Sequence, residues 1–226
     1  MRFNLFGTIV ENEDKWIYEW FGMEAVCPKD IIDAIAKIDD KETVDIYINS
    51  PGGSVFAGST IYSALRDLKD RVKIHVVGIA ASAASVVACA GQSDISPTAM
   101  LMIHNAASVA RGDYHTMEKE SEILQQVNRA VASAYIAKTG MSEEKALELM
   151  DRETWITASQ AVEYGLIDAI AGQELNKPAN TAPMQLVASI GNIIPKEKIS
   201  KLSDLIRETD YLNAQIEFLK LKGNVK

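Results

Sequence analysis

Cysteine is almost missing from this chain of 226 residues: Cys27 and Cys89 stand far apart, with no further Cys or His at zinc-ligand spacing. That excludes a disulfide scaffold, gives no support to a metal site, and fits a reducing, cytoplasmic setting. Histidine is equally sparse, with only His75, His104 and His115, so any imidazole chemistry must use one of these three. Positive charge is in deficit, 23 Lys and Arg against 31 Asp and Glu for a net charge of −8. Such a surface repels phosphate backbones and anionic headgroups, which argues against nucleic acid and membrane partners. No apolar run approaches the ~18 residues of a membrane helix. The opening MRFNLFGTIVENED is broken by Asn4, Gly7 and Glu11 before a signal-peptide core can form, so export is not expected.

What is present is enough apolar content, 47%, for one good core and a small appendage. FNLFGTIV alternates as an edge strand does, and CPKDIIDAIAKID carries Ile31, Ile32, Ala34, Ile35 and Ile38 at helical spacing behind Pro28. VDIYINS reads as a strand ending at the turn Pro51-Gly52-Gly53, followed by a helical pattern through Ile61, Ala64, Leu65 and Leu68. The unit then repeats. VKIHVVG is a strand that Gly78 is expected to break, AASAASVVACAG a tightly packed small-residue helix, and MLMIH a third short strand. Repeated strand-turn-helix units predict an α/β fold whose sheet carries its functional turns at the carboxyl ends of the strands.

A long helix is predicted from Asp113 to Thr139, stopped by Gly140, and a shorter one behind Ser142 as cap. TWITASQAVEYGLIDAI supplies an edge strand, a helix capped by Thr157 or Ser159, and a last strand after Gly165. The domain is expected to span 1–172. Half of the six prolines, Pro178, Pro183 and Pro195, fall in residues 173–197, which read as a linker. Residues 198–222 keep Leu202, Leu205, Thr209, Leu212, Ile216 and Leu219 at three-four spacing, an amphipathic helix for docking on its own domain or on a partner.

Three strand ends could converge chemically. Ser82 follows the strand containing Gly78, His104 closes the next, and Gly52-Gly53 close the one before. A serine hydroxyl needs a base such as imidazole to act as a nucleophile near neutral pH, and glycines let backbone amides approach a substrate carbonyl. Ser85 competes one helical turn away, and alanines flank Ser82 where a hydrolase elbow would place glycines. Taken singly, each residue has a structural explanation. A small-residue helix favours serine for its size, and strand histidines commonly serve packing.

Taken in order, YINSPGGSVFAGSTIYSAL, GIAASAASVVACAG, LMIHN and TASQAVEYGLIDAI resemble successive segments of the Clp protease proteolytic subunit family, over about residues 5–171. The resemblance implies that family's fold, shared with crotonase-like enzymes, and a serine endopeptidase working through an acyl-enzyme without cofactor or metal. It assigns Ser82 as nucleophile, His104 as base, the amides of Gly53 and Ala83 as oxyanion donors, and Gly52 and Ser54 to the substrate path. A polypeptide substrate, a ring-forming homo-oligomer and an AAA+ unfoldase partner are further implications.

The acid departs from the family pattern. Counting back from AVEYGL places Glu153 where the family usually has aspartate, and Asp151 lies two residues earlier. Glu153 is the favoured third member, with Asp151 as the alternative. The C-terminal extension and a start almost directly on the first strand resemble phage and prophage members, which implies head maturation by cleavage of capsid or scaffold precursors. A cellular degradative subunit is the alternative setting. A crotonase-like acyl-CoA enzyme and a non-catalytic scaffold subunit are rivals from other classes.

Overall fold

A computed structural model describes residues 1–39 and 42–172; the expected linker 173–197 and helix 198–222 lie outside the described residues. The order of elements is β1 (Arg2–Ile9), α1 (Lys15–Trp20), β2 (Ala25–Val26), α2 (Pro28–Ile35), β3 (Val44–Gly53), α3 (Val55–Arg66), β4 (Val72–Ala81), α4 (Ala83–Ala88), β5 (Gln92–Ile95), β6 (Met100–Ile103), α5 (Tyr114–Thr139), α6 (Glu143–Asp151), β7 (Thr154–Thr157), α7 (Ala158–Glu163) and β8 (Ala169–Ile170). This is the mixed α/β fold the strand-turn-helix pattern implies.

The strands form a sheet in the order β2-β1-β3-β4-β5-β8, parallel throughout this path. The far side of β4 is shared: its first half, Lys73–Val76, pairs with β5, and its last residues, Ile79–Ala81, pair with β6. β6 then carries β7 antiparallel. Because β3, β4 and β6 run parallel, their carboxyl ends meet at one edge, bringing together three strand ends that the sequence separates by tens of residues.

The alternation in β3 and β4 is strict enough to set the register. Val44, Ile46, Ile48 and Val72, Ile74, Val76 are buried against α3 and α4 with Ile61 and Leu65, and each fully buried side chain contributes about 1.5–3 kcal/mol. Their neighbours form a polar opposite face. There Tyr47 stacks on His75 with centroids 4.7 Å apart, His75 Nδ1 lies 2.8 Å from Asp94 Oδ2, and the Arg2 guanidinium sits 3.9 Å from the Tyr47 ring centroid. Parallel sheets usually have both faces covered; this one offers water a network of paired polar groups instead.

Several expectations need correction. β1 is an edge strand only in part, since it pairs with β3 along its length and the two-residue β2 covers Thr8 and Ile9 on its other side. Gly78 does not break β4, which continues to Ala81. The side chain of Asn49 crosses this point, its Oδ1 accepting the Ile79 N–H at 3.2 Å, and a Cβ on residue 78 would lie 2.3 Å from that oxygen. Glycine here makes room for a side chain that substitutes for a ladder bond where the β3–β4 register shifts. α1, β2 and β5 are elements that the sequence pattern does not predict.

Long α5 begins at Asp113, whose side chain accepts from Thr116 N–H, and ends at Gly140 in the left-handed region, φ 74. Among the described residues no helix is long and apolar enough to cross a membrane. Both cysteines are buried and free.

Candidate active site

Ser82 stands between β4 and α4 with φ 55 and ψ −126, a conformation that costs a non-glycine residue free energy and persists only where its surroundings hold it. On one side the Ser82 N–H donates to Met102 O at 2.8 Å, extending the β4–β6 ladder by one residue. On the other, Gly52, itself at φ 90, lies directly against the turn. A Cβ on residue 52 would sit 2.5 Å from Ala81 O, 2.7 Å from Ser82 Cβ and 2.9 Å from Ala83 N, so glycine alone fits. From below, α3 approaches so closely that a Cβ on Gly58 would lie 2.8 Å from Ala83 Cβ. The strained turn is thus made without the flanking glycines of a hydrolase elbow; the glycines sit across from it, on β3 and α3.

His104 follows β6, and its Nε2 lies 2.7 Å from Ser82 Oγ. Burial holds the imidazole below its ordinary pKa, opposed by the attraction of the Glu153 carboxylate. The free base is therefore favoured near neutral pH, the form that can accept a proton.

The two candidate acids are separated in role. Asp151 Oδ1 accepts a hydrogen bond from Asn105 Nδ2 at 2.7 Å. Glu153, at φ 46, acts on His104 through its charge; among the described residues neither carboxylate is hydrogen-bonded to His104. Ser82 and Glu153 are the two described non-glycine residues with positive φ. Asn105 Oδ1 is buried without a hydrogen-bond partner, an orphan beside the candidate base.

The remaining candidates divide in the same way. The Ser54 side chain caps α3 by accepting from Ala57 N–H at 3.2 Å and also donates to Glu11 Oε1, while its own N–H goes to Ile9 O at 2.8 Å. The N–H, the hydroxyl and the carbonyl of Ser54, which accepts from Gly58 N–H at 3.0 Å, are thus all engaged within the fold. Ser85 is fully buried and turned away from His104: its hydroxyl reaches Ser82 O at 2.6 Å and Tyr135 OH at 2.8 Å. Nothing in the sequence pattern links residues 85 and 135, which stand fifty positions apart. A cavity of about 370 Å³ opens beside Ser82 and His104, walled by Val55, Phe56, Val86, Val127 and Val131, and among the described residues no Asp, Glu, Lys or Arg lines it.

Comparison with known proteins identifies the family. The family model described as Clp protease matches residues 27–174, more than half of the chain. The ATP-dependent Clp protease proteolytic subunit of Dehalococcoides mccartyi is 34% identical over 145 residues, which cover 63% of this chain and 70% of that protein. Proteolytic subunit 1 of Streptomyces avermitilis is 36% identical over 135 residues, covering 58% and 62%. The subunit of Bacteroides fragilis is 35% identical over 136 residues, covering 59% and 66%. The family match, not the sheet, which crotonase-like enzymes share, sets the crotonase-like and scaffold alternatives aside. The chain belongs to the Clp protease family and is a serine endopeptidase.

Proposed function

We propose that Ser82 is the nucleophile of this peptidase and His104 its general base, acting on extended polypeptide. The observation that carries the reading is the 2.7 Å contact between Ser82 Oγ and His104 Nε2, made at a turn that strain and close packing hold in one conformation. With the imidazole proton on Nδ1, Nε2 accepts the Ser82 proton as Oγ bonds to the substrate carbonyl carbon. The same proton passes to the leaving amine as the C–N bond breaks. Water, deprotonated by His104, then releases the acyl group from Ser82.

The amides of Gly53 and Ala83 are the oxyanion donors in this reading. Ala83 is the first residue of α4, so no helical carbonyl precedes its N–H. The Ser54 N–H is bonded to Ile9 O, and alternate amides of an extended strand face opposite sides, which leaves the Gly53 N–H on the side away from β1. One such donor is worth about 3 kcal/mol of transition-state stabilisation. Glu153 is the acid, stabilising imidazolium by charge. The uncharged cavity suits an apolar substrate side chain next to the cleaved bond; Gly52 forms the floor of the substrate path.

The relatives are described as subunits of an ATP-dependent protease, which supports a ring-forming homo-oligomer supplied with unfolded chains by an AAA+ partner. Head maturation, with capsid or scaffold precursors as substrates, is the second reading; it rests on residues 175–226, which lie beyond the family match. Fluorophosphonate labelling of the full chain, read by mass spectrometry, tests the chemistry. A single adduct on Ser82, lost in Ser82→Ala, is expected; an adduct on another serine, or turnover by Ser82→Ala, would remove the assignment.

A further inference from the structure

The carbonyl of Ser82 and the N–H of Ala83 belong to one peptide unit, and in a trans peptide they point in opposite directions. Whatever fixes the Ser82 oxygen therefore aims the Ala83 N–H. Two donors converge on that oxygen, both from Ser85: its N–H at 2.9 Å and its hydroxyl at 2.6 Å. A carbonyl only accepts, so the single hydroxyl proton of Ser85 is committed to it, and the 2.8 Å contact between Ser85 Oγ and Tyr135 OH must have tyrosine as donor. The chain of hydrogen bonds runs one way, from Tyr135 OH to Ser85 Oγ to Ser82 O.

We propose that Ser85 and Tyr135 are positioning residues that set and polarise the Ser82–Ala83 peptide, so that a tyrosine of α5 controls an oxyanion donor from inside the core. Both residues are buried, at 0% and 1% exposure, Tyr135 at the wall of the cavity beside Ser82 and His104, and in such surroundings hydrogen bonds in series strengthen one another. Donation to a peptide oxygen makes the N–H of the same unit a better donor. Burial pushes the Tyr135 phenol well above its ordinary pKa, so it stays a donor at any working pH. A serine bonding a carbonyl three residues back is common in small-residue helices. The tyrosine, brought from another element to complete a directed chain onto a strained residue, is what helix packing alone does not account for.

The inference rests on the Ala83 amide being an oxyanion donor. It is tested in the full-length protein with Tyr135→Phe, Ser85→Ala and the double variant, which removes both hydroxyls and leaves no buried partner unpaired. Three quantities are measured: kcat and KM on a fluorogenic peptide, inhibition by the matching peptide boronic acid, whose tetrahedral adduct places an oxygen in the oxyanion site, and binding of the cleaved peptide product. Tyr135→Phe and the double variant are expected to lose about tenfold in kcat, with KM and product affinity within about twofold, since a donor is weakened rather than removed. Boronic acid affinity falls by the same factor, and the double variant loses no more than Ser85→Ala. If kcat and boronic acid affinity stay within about twofold of wild type, or if KM and product affinity worsen in step with kcat, the relay has no such role. Turnover by Ser82→Ala would fault the nucleophile assignment instead, a separate result.

Discussion

Asn105 Nδ2 donates to Asp151 Oδ1 at 2.7 Å, and Asn105 is the residue directly after His104. The hydrogen bond ties the end of α6 to the chain that carries the base, while the charge that reaches the imidazole is that of Glu153. On the reading proposed above the two carboxylates have separable jobs, one mechanical and one electrostatic. Asp151→Asn keeps the polar contact and is expected to retain at least a third of kcat/KM. Glu153→Gln removes the charge that stabilises imidazolium, and a loss of tenfold or more, about 1.4 kcal/mol of barrier, is expected. Steady-state kinetics on the two variants decides it; the opposite ranking would make Asp151 the acid.

The pH dependence follows from the same pair. Burial lowers the His104 pKa from 6.5, so the free base survives to lower pH and the acid limb of kcat/KM lies below that value. Glu153 opposes the shift by favouring the charged form. Its neutralisation in Glu153→Gln must therefore move the acid limb further down. A pH profile of the variant that moves up, or does not move, would show that Glu153 does not act on His104.

Gly52→Ala should abolish turnover without changing any reacting group. The added Cβ meets Ala81 O at 2.5 Å in a residue already at φ 90, so the Ser82 turn must give way. A fall of at least a hundredfold in fluorophosphonate labelling rate is expected, the scale of losing an oxyanion donor, with circular dichroism showing the fold retained.

Lys138 is the cation of a stitch between α5 and the sheet. Its Nζ donates to Asp168 Oδ2 at 2.6 Å and to Gly91 O at 2.8 Å, and the same Asp168 oxygen accepts the Ser93 N–H at 2.7 Å. Asp168 is partly exposed, so the ion pair itself is screened, but Lys138→Met also strips a donor from Gly91 O. A loss of about 1–2 kcal/mol is expected, seen as a drop of roughly 2–8 °C in Tm.

The legible part of the fold is where local signals agree with tertiary structure. α5 announces both ends, with Asp113 and Gly140 as caps, and α6 and α7 are marked by Ser142 and Thr157. The illegible part lacks such punctuation. α1 carries Lys15-Trp16-Ile17-Tyr18-Glu19-Trp20 with no side-chain cap at Asp14, and β5, Gln92–Ile95, is too short to show a period. Gly78 misleads because its reason is Asn49, a residue on another strand. In the site, residue order makes Ser82 and His104 candidates with Ser85 as a competitor, the family resemblance picks out the pair, and the structure sets them 2.7 Å apart. The positive φ of Ser82 cannot be read from its alanine neighbours, since what compels it is Gly52 on β3 and the ladder bond to Met102. Contacts such as Ser85 with Tyr135 have no sequence signal at all.

α5 is a cantilever. Its 26 residues span about 39 Å at 1.5 Å per residue, and its opening turns, Tyr114 to Lys119, are exposed, while Ala132, Ala134 and Tyr135 are sunk in the core and Lys138 is pinned to Gly91 and Asp168. A beam fixed at one end delivers load applied at its free tip to its root, and the root of this beam contains Tyr135, two hydrogen bonds from the Ser82 carbonyl.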